Sequence, residues 1–85
     1  MSFDIIFSDE SKKFLDKLPK SQQEILLKKV YSIRENPYPH LKKLKGSVFW
    51  RLRVMDYRVV LDIIVKANQI FVIRIGHRKN VYDKL

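Results

Sequence analysis

Arg51 and Arg53 in WRLR, Arg58 in DYR, and Arg74 and Arg78 in IRIGHR recur at alternate positions of three runs that read as β-strands. In a strand, alternate residues share a face. From 49 to 54 the apolar set is Trp50, Leu52 and Val54, which turns Arg51 and Arg53 the other way. From 57 to 65 it is Tyr57, Val59, Leu61, Ile63 and Val65, which turns Arg58 the same way as the other arginines. From 70 to 78 the set Phe71, Ile73 and Ile75 faces the core, leaving Arg74, Gly76 and Arg78 on the arginine face. Only Met55 and Asp56 separate the first two runs, so a tight hairpin pairs Val54 with Tyr57 and sets Arg53 opposite Arg58. Like charges in that position destabilise a sheet by up to roughly 1 kcal/mol. With a loop at Lys66 to Asn68, Arg58 faces Gly76 and has Arg74 and Arg78 as diagonal neighbours. Planar, permanently charged forks around a gap suit a phosphate or a developing oxyanion.

The elements that position these side chains are legible upstream. Phe3 to Phe7 reads as a short strand, and Ser8 or Asp9 caps a helix whose Ser11, Phe14, Leu15 and Leu18 form one stripe. Pro19 ends it. Ser21 with Glu24 reads as a capping box opening a second helix, with Ile25, Leu26, Val30 and Ile33 buried and Lys28, Lys29 and Arg34 outside. Asn36-Pro37-Tyr38-Pro39 stops that helix, and His40 to Gly46 reads as a basic connection. The three arginine-bearing strands follow, then Lys79 to Leu85 as one helical turn. The fold class is α+β: an N-terminal strand, a helical hairpin and a three-stranded antiparallel meander, with the helices on one face of one sheet.

Eighty-five residues make a single domain, residues 1–85, with one modest core. Eighteen Lys and Arg against nine Asp and Glu leave a net charge of +9, the footprint of a nucleic-acid binder or of a chain with an acidic partner. A solvated lysine surface explains that charge without explaining the alignment of arginines. With no Cys and only His40 and His77, disulfides are excluded and no zinc site is expected. No apolar run reaches the length of a membrane span, and the acidic start MSFDIIFSDE is unlike a signal peptide, so the expected compartment is the cytoplasm.

The run KKLKGSVFWRLRVMDYRVVLDI, the terminal IGHRKNVYDKL and the helical hairpin before them resemble the RelE family of toxin–antitoxin modules, within the RelE/ParE superfamily. The resemblance covers essentially the whole chain. Its most specific parts are Lys43-Leu44-Lys45-Gly46, the Arg51/Arg53 pair, Tyr57-Arg58, and Gly76-x-Arg78 followed by Tyr82. It implies an mRNA interferase that enters the ribosomal A site and cleaves the exposed codon without a metal or other cofactor. The products implied are a 2′,3′-cyclic phosphate and a 5′-hydroxyl, from attack by the message's own 2′-hydroxyl. Two catalytic lysines of bacterial relatives fall on Arg51 and Arg53, the family's strand arginine on Arg58, its tail arginine on Arg78 and its tail tyrosine on Tyr82. Arginine keeps the charge and gives up a titratable amine. Met55 stands where relatives usually place glycine. A RelB-like antitoxin with acidic, amphipathic helices is the implied partner, alongside the ribosome and mRNA.

Such cleavage needs a base for the 2′-hydroxyl, stabilisation of a phosphorane and an acid for the 5′-oxygen. Arg58 and Arg78 are assigned to the phosphorane, and Arg51 and Arg53 to the scissile and flanking phosphates. Tyr82 is assigned to the 2′-hydroxyl or to stacking on a splayed base. As a base it requires guanidiniums that favour its phenolate. His77 falls on the core-facing parity and reads as structural; a bend after Gly76 brings it to the site as an acid. Asp62 is expected to pair with Arg74. Lys42, Lys43 and Lys45 read as an ordinary solvated loop or, with this charge pattern, as a grip on ribosomal RNA phosphates. Two rivals stand beside the interferase: a ParE-like toxin that binds and inhibits DNA gyrase, and a non-catalytic RNA- or ribosome-binding module.

Overall fold

A computed structural model of the chain describes residues 2–77, so Arg78, Tyr82 and the expected turn at Lys79 to Leu85 lie outside the described residues. The elements are β1 (Asp4–Phe7), α1 (Asp9–Asp16), α2 (Lys20–Ser32), β2 (Lys42–Lys43), β3 (Trp50–Val54), β4 (Tyr57–Ile64) and β5 (Gln69–His77). They build one five-stranded sheet in the order β1-β5-β4-β3-β2, in which β1 runs parallel to β5 and the other pairs are antiparallel. Leu15, Leu26, Val30 and Ile33 from the helical hairpin share a buried cluster with Leu52, Val59, Leu61, Ile70, Val72 and Ile75 from the sheet. No helix among the described residues is long and apolar enough to cross a membrane.

α1 starts as its sequence predicts. Ser8 is the N-cap, and its Oγ accepts from the Ser11 N–H at 3.1 Å while donating to the Ile73 carbonyl at 2.6 Å. That carbonyl belongs to a β-bulge. Val60 pairs with Arg74 and Leu61 with Val72, leaving Ile73 as the extra residue on β5. The bulge corrects the expected parity of β5: Ile70 and Val72 enter the core in place of Phe71 and Ile73, while Ile75 keeps its inward position. Ser8→Ala removes a cap and leaves the bulge carbonyl without its side-chain donor. The expected cost is about 1–3 kcal/mol, read as a lower midpoint in urea unfolding.

α2 differs from expectation at both ends. Pro19, with φ −54° and ψ 145°, is the N-cap, and its carbonyl accepts from the Gln22 and Gln23 N–H groups, both at 3.0 Å. Ser21 therefore lies inside the first turn, and the expected capping box with Glu24 does not form the start. Proline supplies an extended residue with no N–H to satisfy, and the Gln23 amide donates to the Leu18 carbonyl at 3.0 Å. Ile25 is 48% exposed, so the buried stripe is Leu26, Val30 and Ile33. The helix stops at Ser32, before Asn36-Pro37, and Tyr38–His40 form a single 3-10 turn.

The connection expected at His40 to Gly46 contains β2, whose Lys42 and Lys43 pair with Arg51 and Trp50. A short edge strand of lysines satisfies the outer backbone of β3 while discouraging further pairing. At the other end of β4, Val65 is 66% exposed and begins a 3-10 turn rather than continuing the strand inward. The β3–β4 hairpin follows the sequence reading, with Val54 opposite Tyr57 across Met55 and Asp56. Met55 carries φ +55°, the left-handed region that costs an L-residue about 1–2 kcal/mol. With its side chain 41% exposed, little packing is lost in Met55→Gly. That substitution is expected to raise the melting temperature by roughly 2–6 °C in a thermal scan, after the entropy glycine adds to the unfolded chain.

Candidate functional site

β3 and β4 bring three of the five arginines together. Arg53 lies directly opposite Arg58, and Arg51 is opposite Val60 on one side and Lys42 on the other. On the face away from the helices, Arg51, Arg53, Arg58, Lys42 and His40 line one cleft of about 290 Å³. Every one of these side chains is basic, and no carboxylate shares the lining.

Arg58 is the unusual member. It is only 7% exposed, and its Nη1 donates to the Tyr57 carbonyl at 3.2 Å. That is its one hydrogen bond to the described residues, and no carboxylate pairs with it there. A guanidinium offers five N–H donors, and burying its charge without a counter-ion costs several kcal/mol. The fold tolerates this cost with a second cation, Arg53, opposite. An anion with several oxygens, such as a phosphodiester, would supply the missing acceptors and the missing charge.

The remaining expected residues distribute as follows. Arg58 faces Gly76 across β4 and β5, as the strand alternation and loop length require. Arg74 leaves the cluster. Its Nε donates to Glu10 Oε2 at 2.8 Å, an ion pair with the first turn of α1 in place of the expected one with Asp62. The bulge at Ile73 explains the change: Arg74 pairs with Val60 and Asp62 with Phe71, which separates the two by one more residue on β5 than simple alternation allows. Beyond Val72, β5 has no β1 partner, and α1 packs there instead.

His77 stands on the helix-facing side, as its parity predicts. Its ring lies 5.0 Å from that of Tyr57 and 5.9 Å from that of Phe14. It lines a separate cavity of about 410 Å³ with Glu10, Lys13, Phe14 and Lys17, and the structure does not bring it to the arginine cleft. Lys43 turns from the cleft as well, with its ammonium 4.7 Å from the centre of the Trp50 ring, and Lys45 is exposed in the turn after β2. His40 is the cleft residue that reading the sequence overlooked. It shares parity with Lys42, a signal that becomes visible once HLKK is read as the approach to an edge strand. Among the described residues no group of three or more His, Cys, Asp or Glu is placed to hold a metal.

Comparison with known proteins places this geometry. Residues 5–82 match the family model described as the ParE toxin of the type II toxin–antitoxin system parDE. No curated protein matches the chain. Among solved structures, a chain of the RelBE2 toxin–antitoxin complex from Mycobacterium tuberculosis superposes with a TM-score of 0.84 at 18% identity, over 92% of this chain and 100% of that one. A chain of the archaeal RelE–RelB complex from Pyrococcus horikoshii gives 0.80 at 24% identity, over 95% and 100%. A chain of the intact Escherichia coli RelBE complex gives 0.77 at 26% identity, over 89% and 96%. The first two likenesses speak to the fold, the third also to sequence, and the family match spans nearly the whole chain. The chain belongs to the ParE toxin family of type II toxin–antitoxin systems and is a RelE-like toxin of the RelE/ParE superfamily.

Proposed function

We propose that this toxin is a ribosome-dependent mRNA endonuclease of the cytoplasm, cleaving the A-site codon by attack of a 2′-hydroxyl on the adjacent phosphate. The observation that carries this reading is Arg58, buried to 7% exposure at a wholly basic cleft without a carboxylate partner among the described residues. In the proposed mechanism Arg58 and Arg53 hold the non-bridging oxygens of the scissile phosphate. Their donors gain strength as charge builds in the phosphorane. Arg51 and Lys42 grip the flanking phosphate. Guanidiniums are poor metal ligands, and this lining suits direct electrostatic stabilisation. Arg78 and Tyr82, outside the described residues, are proposed to complete the phosphate site and to stack on or contact the attacking nucleotide. Lys43 and Lys45 are proposed contacts to ribosomal RNA. Positioning by the ribosome supplies the larger part of the rate, as alignment of reacting atoms generally does.

A RelB-like antitoxin is the proposed partner, because the similar solved chains come from RelE–RelB complexes and a field of +9 favours an acidic binding segment. The family match favours a second reading, since its description names ParE. On that reading the chain binds and inhibits DNA gyrase. Primer extension on messages held in programmed ribosomes separates the two. Cleavage confined to the A-site codon is the expected result, and intact message together with inhibited gyrase supercoiling transfers the assignment to the second reading.

A further inference from the structure

The lining of the arginine cleft is suited to gripping a phosphate and ill suited to moving protons. Arg51, Arg53 and Arg58 remain charged, and Lys42 carries an ammonium, so none of them readily accepts a hydrogen from a hydroxyl. His40 is the exception in the lining. A neutral imidazole accepts a proton at one nitrogen and gives it back, which makes histidine the commonest general base.

His40 is also well placed mechanically. It ends the 3-10 turn Tyr38–His40, and its N–H donates to the Pro37 carbonyl at 3.0 Å. Pro37 is fully buried on one side of it and Leu41 is 8% exposed on the other, so the exposed histidine is carried between two anchored residues. Immediately after, Lys42 pairs with Arg51 and fixes the turn to the cleft wall. The imidazole makes no hydrogen bond, ion pair or ring contact to another described residue. Nothing in the described fold explains a histidine there, whereas His77 has two aromatic neighbours.

We propose that His40 is a catalytic residue, the base that removes the proton from the attacking 2′-hydroxyl of an RNA phosphodiester held by Arg58 and Arg53. This rests on the endonuclease reading and deepens it. The 2′-oxygen bonds to phosphorus as its proton passes to the imidazole. The phosphorus to 5′-oxygen bond then breaks with its electron pair on the 5′-oxygen. That oxygen takes a proton from solvent water, and the imidazolium returns its proton to the hydroxide left behind. The assignment frees Tyr82 for stacking.

The test compares single-turnover cleavage of an A-site codon by the parent chain, His40→Ala and Arg58→Ala, with ribosome binding measured in parallel. His40→Ala is expected to slow cleavage by roughly 10²–10³-fold while binding ribosomes like the parent. Added imidazole is expected to raise the rate of His40→Ala and leave that of Arg58→Ala unchanged. A purely structural or phosphate-gripping histidine would not show that rescue. If the parent cleaves and His40→Ala keeps its rate, or loses it together with ribosome binding and without imidazole rescue, the role assigned to His40 is wrong while the endonuclease reading stands. If the parent itself leaves the message intact, both fall.

Discussion

Arg58→Met is expected to lower A-site cleavage by about 10²–10³-fold, the scale of losing one preorganised oxyanion donor, and at the same time to raise the stability of the free toxin. The two effects have one cause. Arg58 is buried opposite Arg53 with a single carbonyl as side-chain acceptor among the described residues, so its charge weakens the fold in the absence of an anion. Replacing buried ionic groups by apolar side chains of similar volume is often neutral to stabilising, by about 1–4 kcal/mol. A gain of about 1–2 kcal/mol would appear as a melting temperature higher by roughly 5–15 °C. Inorganic phosphate should stabilise the parent more than the variant, because a ligand that binds only the folded site adds to its stability. A variant that melts below the parent would show that Arg58 is a satisfied structural residue, and the anion site would be lost from the account.

The second large effect is on folding. Leu61→Ala is expected to destabilise the domain by about 2–5 kcal/mol, seen as a matching fall in urea midpoint or a melting temperature lower by 10 °C or more. Leu61 is fully buried on the central strand, opposite Trp50 on β3 and opposite Val72 next to the bulge on β5. A cavity there sits between two strand pairings that both hold the cleft in register. In a domain of this size such a loss is a large share of the total stability. Cleavage per folded molecule should survive at low temperature and vanish on warming, distinguishing this variant from Arg58→Met, which is expected to be stable and inactive.

The hairpin that makes the cleft was legible because two simple constraints coincide. Alternation fixed the faces of β3 and β4, and a two-residue turn fixed their register, so Arg53 opposite Arg58 and Arg58 opposite Gly76 both emerge from counting. Counting failed at Ile73, since a bulge carries no alternation signal of its own and is stabilised by Ser8, 65 residues away. A separation of 64 residues likewise hid the Arg74 ion pair, whose partner Glu10 lies on the first helix. β2 was missed because lysines have low strand propensity and the element exists only as an edge against β3. His40 went with it. Pro19 displaced a capping box that local sequence favours, a case in which the fixed φ of proline outweighed a serine hydroxyl.

The parallel pairing of β1 with β5 joins the first strand of the chain to the last of the five. During synthesis the β3–β4 hairpin can leave the exit tunnel and close on itself, but Asp4 to Phe7 must wait for Gln69 to Val72 before the sheet acquires its outer strand. The Ser8 tether to Ile73 waits equally long. Contacts so distant in sequence form late and slowly. The sheet is therefore expected to close only after β5 has been made and has left the exit tunnel, which sets a delay between synthesis of the arginine hairpin and completion of the fold around it. Pulse proteolysis of stalled nascent chains, ending before or after β5, would time that step.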